Sequence, residues 1–216
     1  MIKFYGYYRS SAAYRCRIAF NLKNIDYDLQ LVHLRKDGGQ QKSPGYKKIN
    51  PQALIPSIED NDFTLTQSMA IIEWLDEKYP EPNLLPKDVN LRAKVRAFSQ
   101  SIACEIHPLQ NLRVQEYISQ EFKQDSSQID QWLKKWLGDG LSACQEIIRN
   151  ENIASQFCFG NMPSLADICL IPQIFSAQRF GINLNELPVL MKIFDNCNNL
   201  SAFSKAHPSK QPDAEN

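Results

Sequence analysis

The apolar and polar positions of the first third of the chain follow two alternating periods. Residues 2–7 form a short apolar and aromatic run, which is typical of a buried strand. From Ala12 to Lys23 the apolar residues recur at helical spacing, directly after Ser10 and Ser11, whose hydroxyls suit a helix N-cap. Residues 27–31 alternate again between apolar and polar, which predicts a second strand and hence a βαβ unit.

A polar stretch and a hairpin complete this first region. Residues 35–43 lack a regular pattern and are expected to form a surface loop. Two strand-like segments, 54–58 and 63–66, flank a turn rich in Asp and Asn, which predicts a hairpin. A third helical pattern begins at Ser68, which we expect to cap it, and ends before Pro80.

The strand patterns disappear after Pro86, and the chain becomes helical. We therefore predict an α/β domain over residues 1–80, a proline-marked linker over 81–87 and an all-helical domain over 88–206. Residues 207–216 carry no large apolar side chain and are expected to form a loose C-terminal tail. The predicted helices of the second domain cover 90–121, 128–150, 165–180 and 189–202.

Charge and cysteine usage exclude several classes of function. The 24 basic and 24 acidic residues cancel, so no net field attracts nucleic acid or an anionic membrane. No apolar run is long enough to span a bilayer, and the start of the chain lacks the apolar core of a signal peptide. The six cysteines form no C-x-x-C pair and no metal-ligand spacing, so we expect reduced core thiols in a cytoplasmic protein without a metal.

Three short features could together bind an extended anionic ligand. Ser10 and Ser11 follow a strand and open a helix, which places hydroxyls, free amide groups and a positive helix end together. Gln67 and Ser68 repeat this arrangement at the third helix. If the Ile55-Pro56 bond is cis, the Ile55 backbone could pair with a peptide-like ligand. When each serine is taken alone, an ordinary helix cap is the favoured explanation, and only the combination indicates a ligand.

These features belong to segments that resemble the zeta-class glutathione transferases. In the first region the resemblance rests on residues 10–19 (SSAAYRCRIA), 37–41 (DGGQQ), 50–56 (NPQALIP) and 67–73 (QSMAIIE). It continues in residues 106–112, 166–173 and 207–213 and so covers almost the whole chain. It implies a thioredoxin-like α/β N-terminal domain, an all-α C-terminal domain and a homodimer. Ser164 to Asp167 fits the helix-opening capping box of this fold, which we assign to folding.

The resemblance also implies glutathione as the cofactor. The positions that match the family's glutathione contacts are Ser10, Ser11, Ala12, Ala13, Tyr14, Arg15, Gln41, Ile55, Pro56, Gln67, Ser68, His107, Asn111, Leu112 and Arg113.

The matching catalytic positions are Ser10, Ser11 and Arg15. A thiol titrates near pH ~8.5, and a hydrogen bond or a helix N-terminus is needed to keep it ionised at neutral pH. Ser10 is the leading candidate to donate this hydrogen bond, and Ser11 is the alternative. Some classes of the family use a tyrosine instead, and the tyrosines near these serines are Tyr7, Tyr8 and Tyr14.

Two arginines match the side of the site that faces the substrate. Substrates of this class carry carboxylates and a diketone, which guanidinium groups bind well, and we expect Arg9 and Arg179 in this role. Arg15 and Arg17 lie about 200° apart on a helix and cannot both face the site. Ala12 stands where eukaryotic members carry a cysteine, so chemistry that depends on that cysteine is expected to be absent.

The implied activity is a glutathione-dependent cis–trans isomerisation in tyrosine and phenylalanine catabolism, from maleylacetoacetate to fumarylacetoacetate. Maleylpyruvate is an alternative substrate, and general glutathione transfer is an alternative activity. A non-enzymatic glutathione-binding scaffold is the alternative from another class. A scaffold has no need of Ser10, Gln67, Ser68 and Arg179 together, so we favour the enzyme.

Overall fold

The computed structural model describes residues 1–151 and 155–215. The chain divides into two compact units, the first made of Met1–Leu84 with Asn198–Asn216 and the second of Leu85–Cys197. The division differs from the expected one at two places. The expected linker is split at Leu84, and the segment that follows Cys197 belongs with the α/β unit instead of the helical one.

The first unit contains a mixed four-stranded sheet, as the strand patterns predict. The strands are β1 (Ile2–Gly6), β2 (Tyr27–Leu31), β3 (Ser57–Asp60) and β4 (Phe63–Thr66), in the order β2-β1-β3-β4. Strand β1 is parallel to β2 and antiparallel to β3, and β3 is antiparallel to β4. The carboxyl ends of β1, β2 and β4 and the amino end of β3 therefore lie at the same edge of the sheet.

Three helices of the first unit precede the expected linker: α1 (Ser11–Leu22), α2 (Pro44–Ile49) and α3 (Ser68–Lys78). The sequence patterns predicted α1 and α3 but not α2. Its signals are Ser43, which accepts a hydrogen bond from the Tyr46 amide at 3.2 Å, and the proline at its first position. The expectation that Ser68 caps α3 is wrong, because Gln67 occupies the cap position and Ser68 is already helical.

A buried lysine fixes the far ends of α1 and α3. Lys23 follows α1, and its ammonium group contacts Asp76 at 2.5 Å and the carbonyl oxygens of Tyr79 and Pro82 at 2.7 and 2.6 Å. All three donors of the ammonium group are thus used, which a buried charge requires. The two helices are held side by side in this way, and their N-termini lie at the same edge of the sheet.

The second unit is helical, as expected. Its helices are α4 (Val89–Gln100), α5 (Leu112–Gln120), α6 (Ser126–Asn150), α7 (Leu165–Arg179) and α8 (Pro188–Asn198). The single helix expected over 90–121 is interrupted by a π-helical turn, Ser101–Ile106, and a 3-10 turn, His107–Gln110. Pro108 lacks an amide hydrogen and cannot continue α-helical hydrogen bonding. Within 1–151 and 155–215, no helix combines the length and apolar content required to cross a membrane.

The predicted capping box opens α7. Ser164 accepts from the Ala166 amide, and the Asp167 carboxylate accepts from the Ser164 amide at 2.8 Å. The same carboxylate accepts from the Cys158 amide at 2.8 Å. Burial raises the pKa of Asp167 above its usual value, and these hydrogen bonds offset part of the rise. Asp167 therefore serves the folding of the second unit.

All six cysteines lie in the described part of the chain, none of them forms a disulfide bond, and five are buried as expected. Cys104 is the exception, because it lies on the exposed side of the π-helical turn. Burial raises the pKa of Cys144 to about 12, so this thiol stays protonated and unreactive.

The expectation of a loose C-terminal tail is wrong. Helix α9 (Ser201–Ala206) packs on α1, and Asn21 donates to the Ala202 carbonyl at 2.8 Å. Ala206, the last residue of α9, and the residues that follow it form the C-terminal segment, residues 206–215. Ala206 and Pro208 in it are buried against the first unit. Large apolar side chains do not mark this contact in the sequence, because polar side chains and backbone groups hold the segment.

Candidate active site

The loop from β1 to α1 presents Ser10 at the start of the helix. Ser10 is the N-cap of α1, and its hydroxyl oxygen accepts from the Ala13 amide at 3.2 Å. This bond uses a lone pair of the oxygen and leaves the hydroxyl hydrogen available for another acceptor. Ser10 is half-buried and Ser11 is 7% exposed. Of the two serines, Ser10 is the better placed to contact a ligand.

The three neighbouring tyrosines are all buried. The Tyr8 hydroxyl donates to Glu215 at 3.4 Å, and the Tyr14 ring packs edge-on against His207. The Tyr7 hydroxyl has no hydrogen-bond partner among the described residues. Burial raises the pKa of Tyr7, so its phenol stays protonated. Tyr7 is thus a buried, protonated phenol, with only 3% of the residue exposed.

Arg15 is buried and joins α1 to the N-terminus of α3. One of its terminal nitrogens donates to the Ser68 hydroxyl oxygen at 3.4 Å. Its Nε and its other terminal nitrogen are buried without a hydrogen-bond partner among the described residues. A buried guanidinium group with unused donors is costly unless an acceptor is supplied. An anionic or carbonyl group of a ligand would satisfy this requirement.

Arg15 and Arg17 point to different elements, as their angular separation predicts. Arg15 contacts α3, whereas Arg17 contacts the loop before α1 and the end of α9. Both are at most 2% exposed. Of the two, Arg15 lies beside residues that the sequence placed in the site.

Gln67 precedes α3 in an unusual backbone conformation. Its φ is 71° and its ψ is 116°, which costs a residue other than glycine roughly 1–3 kcal/mol. Its side-chain amide nitrogen donates to the side-chain oxygen of Gln52 at 2.7 Å. This conformation leaves Gln67 exposed beside the amide groups that open α3.

The segment before β3 presents an unpaired backbone. The Ile55-Pro56 bond is cis. Tyr46 and Asn50 each donate to the Leu54 carbonyl at 2.7 Å, which fixes the preceding residue. The amide and carbonyl of Ile55 have no hydrogen-bond partner among the described residues, so both are available to an extended ligand. The sequence analysis missed Tyr46 and Asn50 because α2, which ends just before Asn50, was not predicted.

Gln41 is buried, and a tightly packed glycine lies beside it. The amide nitrogen of Gln41 donates to the Leu34 carbonyl at 3.3 Å. Its side-chain oxygen has no hydrogen-bond partner within the described part of the chain. Gly39 has a φ of 101°, and a Cβ there would lie 2.7 Å from the Gln41 nitrogen and 3.0 Å from the Leu34 carbonyl. Only glycine permits this packing.

All these features of the first unit lie at one edge of the sheet. Ser10 follows β1, Gln41 follows β2, Ile55 precedes β3 and Ser68 follows β4. Ile55 also packs in a cluster with Tyr7 and three other buried residues. The edge offers hydroxyl, guanidinium, amide and backbone groups that retain hydrogen-bonding capacity for a ligand. This set fits an extended tripeptide with carboxylates, and glutathione is such a molecule.

The other predicted glutathione contacts lie in the second unit. His107 opens the 3-10 turn before α5, and its Nδ1 is 3.3 Å from the side-chain nitrogen of Gln110. Gly140 of α6 has no side chain, and a Cβ there would lie 2.5 Å from the Ile106 side chain, so the helix can pack against the residue before His107. Asn111 caps α5 by accepting from the Arg113 amide at 3.2 Å. Arg113 is exposed and Leu112 is half-buried.

The two predicted substrate arginines are at least partly exposed. Arg9 lies in the loop of the first unit, with its guanidinium 5.7 Å from the centre of the Tyr8 ring. Arg179 is the last residue of α7 in the second unit, and its guanidinium is 4.3 Å from the centre of the Phe180 ring. Arg179 is exposed and Arg9 is half-buried.

The comparisons agree with this fold. The profile described as "Glutathione S-transferase, N-terminal domain" matches residues 4–83, which contain strands β2 to β4 and most of β1. The chain belongs to the glutathione transferases of the zeta class, the family of the maleylacetoacetate and maleylpyruvate isomerases.

Three relatives illustrate this membership. The probable maleylacetoacetate isomerase of Vibrio cholerae is 41% identical over 97% of each chain. The holo structure of a maleylpyruvate isomerase, described as a bacterial zeta-class glutathione S-transferase, is 38% identical and has a TM-score of 0.96 over 99% of this chain and 100% of that one. The maleylacetoacetate isomerase of Methylobacterium extorquens, with bound malonate and GSH, is 36% identical with a TM-score of 0.95 over the same shares.

Replacing Gly39 tests the Gln41 side of the site. Gly39→Ala should lower the free energy of unfolding by about 1–3 kcal/mol, because alanine is strained at this φ and displaces the Gln41 amide. Glutathione affinity, measured by calorimetry, should fall in parallel. Gly45→Ala is the matched control, since no atom of the described residues lies within 4 Å of its added Cβ. Equal behaviour of the two variants would contradict the packing described for Gly39.

Proposed function

We propose that this protein is a glutathione-dependent cis–trans isomerase that converts maleylacetoacetate to fumarylacetoacetate. The observation that carries the proposal is the half-buried Ser10 hydroxyl at the N-terminus of α1, which keeps a hydrogen to donate. The relatives with this name and similar length support the choice of reaction.

Ser10 would keep the thiol ionised. Bound glutathione supplies a thiol that adds reversibly to a conjugated cis double bond and leaves once the bond has rotated. Ser10 donates its hydroxyl hydrogen to the sulfur, and the amide groups that open α1 add the positive end of the helix dipole. A hydrogen bond to a charged group contributes about 1.5–3 kcal/mol, or roughly one to two pKa units of the thiol. Ser11 is the alternative donor.

The remaining groups at the sheet edge would hold the tripeptide. The Ile55 backbone pairs with its central peptide, and Gln67 and Ser68 bind the γ-glutamyl end. Arg15 takes a positioning role: it orients the Ser68 hydroxyl and offers its unused donors to the same end of the ligand. The other contacts that we propose are Ser11, Ala12, Ala13, Tyr14, Gln41, Pro56, His107, Asn111, Leu112 and Arg113.

Arg9 and Arg179 would bind the diketo acid. Guanidinium groups pair with carboxylates in two parallel hydrogen bonds and stabilise the negative charge that develops on a diketone oxygen. Both arginines are at least partly exposed, which a substrate-binding role requires.

Maleylpyruvate is the second candidate substrate. The similarity to a maleylpyruvate isomerase structure, at a TM-score of 0.96, favours maleylpyruvate as a substrate. Both substrates present a maleyl group and a diketo acid, and the same residues would serve either. A role in tyrosine and phenylalanine catabolism, a homodimeric assembly and a cytoplasmic location complete the proposal and are implied by the family resemblance.

Isomerisation assays with and without glutathione test the function. We expect maleylacetoacetate to be consumed only when glutathione is present, with no net loss of the thiol. Maleylpyruvate should be turned over more slowly, and the opposite order would establish the second candidate. Equal rates with and without glutathione would contradict both.

The serine assignment is tested with Ser10→Ala and Ser11→Ala. We expect Ser10→Ala to raise the pKa of bound glutathione by about one to two units, because the sulfur loses a hydrogen bond. A titration of thiolate absorbance measures this pKa directly. Ser11→Ala is the control and should leave it unchanged. A shift in the Ser11 variant alone would exchange the roles of the two serines.

The substrate side is tested with Arg179→Ala. The KM for the diketo acid should rise roughly 10- to 100-fold because a charge-assisted contact is lost. Glutathione affinity should stay the same. Arg149→Ala is the control, since Arg149 is an exposed arginine that pairs with Glu146 at 2.7 Å on α6. An unchanged KM in the Arg179 variant would mean that another cation binds the substrate.

A further inference from the structure

We propose that the C-terminal segment, residues 206–215, positions the loop Tyr7–Ser10 and thereby tunes the ionisation of glutathione, with Asp213 as the principal positioning residue. The proposal rests on the proposed function of Ser10. It assigns a role in the active site to residues about 200 positions away in the chain.

Asp213 holds the loop through its backbone. The Asp213 carboxylate accepts a hydrogen bond from the Tyr8 amide at 2.9 Å. Tyr8 is two residues before Ser10, and the Ser10 amide donates to the Tyr7 carbonyl at 3.1 Å. A tight turn therefore connects the atom that Asp213 holds to the N-cap of α1. A displacement of Tyr8 would therefore also displace the Ser10 hydroxyl.

Arg17 ties the same loop to the start of the C-terminal segment. Its guanidinium donates to the Ala206 carbonyl at 3.0 Å, to the Tyr8 carbonyl at 2.8 Å and to the Tyr7 carbonyl at 3.4 Å. Burial lowers the pKa of Arg17 to about 10, so it remains charged at neutral pH. One buried cation thus holds both segments, and its charge also attracts Asp213.

The last residues of the C-terminal segment pack against the loop Tyr7–Ser10 and its neighbours. Glu215 contacts the His33 ring at 2.8 Å and accepts from the Tyr8 hydroxyl at 3.4 Å. Ala214 packs against the buried cluster that includes Tyr8 and Ile55. The C-terminal segment therefore contacts the loop through backbone, side chain and apolar surface.

The loop depends on these contacts because it supplies few of its own. Between the end of β1 and the start of α1 it has no regular secondary structure. Apart from the turn that ends at Ser10 and the helical hydrogen bond that the Ser10 carbonyl accepts from the Tyr14 amide at 2.8 Å, the loop backbone is bound by Arg17 and Asp213. The start of α1 therefore fixes Ser10 on one side, and these long-range contacts fix the residues that precede it.

The sign of the charge on Asp213 separates positioning from a direct electrostatic effect. A carboxylate near a thiolate disfavours the ionised thiol, so its charge alone would raise the pKa of bound glutathione. If Asp213 acted only through charge, its removal would lower this pKa. If it positions Ser10, its removal displaces the hydroxyl and raises the pKa.

Asp213→Ala therefore gives a test with opposite outcomes. We expect the pKa of bound glutathione, from thiolate absorbance, to rise by about one unit. The dissociation constant for glutathione, from calorimetry, should rise several-fold, while the KM for the diketo acid stays within twofold. A lower or unchanged thiol pKa would overturn the proposal, whatever happens to thermal stability.

Two further variants complete the test. Asp213→Asn keeps an oxygen that can accept from the Tyr8 amide, so its thiol pKa should be equal to or below that of the parent. A rise in this variant would also contradict the proposal, and the variant remains informative if the alanine variant does not fold. Lys210→Ala is the control, because Lys210 is an exposed residue of the same segment.

The outcome is independent of the isomerase assay. Thiol pKa and glutathione affinity are measured without a diketo acid, so they can be determined even if the parent protein isomerises neither substrate. A parent protein that binds glutathione but lacks isomerase activity would overturn the proposed reaction and leave the positioning role testable. A parent protein that does not bind glutathione would overturn both.

Discussion

The structure of the first unit depends on how the N-terminus of α1 is held. Its opening amide groups have no partners within the helix, and the Ser10 hydroxyl satisfies one of them. The buried charge of Arg17 helps to hold the loop before it, since its guanidinium binds two loop carbonyls. Because that guanidinium is itself almost fully buried, the carbonyl groups around it are needed to offset its desolvation. The loop and the cation therefore stabilise each other.

The two buried arginines of α1 differ in how far their hydrogen-bond donors are used within the protein. Arg17 has its hydrogen-bonding capacity used by backbone carbonyls, which is typical of a structural cation. Arg15 keeps two nitrogens without protein partners at the edge where Ser68 opens α3. Structural groups are satisfied in the folded protein, whereas binding groups retain capacity for a ligand. By this criterion we propose Arg15 as a ligand-binding residue, whereas Arg17 is a structural one.

Much of the fold and part of the site could be predicted from local sequence. The four strands, α1, α3 and the capping box of α7 follow from periodicity and caps, which are short-range properties. Helix α2 was missed because its six residues are too few to show a period, although the serine and proline at its start were visible. Ser68 was assigned to a cap because a serine suits that position, but Gln67 adopts it in a strained conformation that tertiary contacts maintain.

The sequence by itself determined the strands and helices that have clear local periods, and it determined the class of protein through the motifs around Ser10, Ile55 and Ser68, which resemble one family. Only the tertiary structure decided which of two neighbouring arginines carries unused donors, and that Asp213 returns to the loop at Tyr8. Contacts of this kind join residues far apart in the chain through single hydrogen bonds to backbone groups. Such bonds leave no periodic or compositional signal in the sequence, since almost every residue carries the same backbone donor and acceptor.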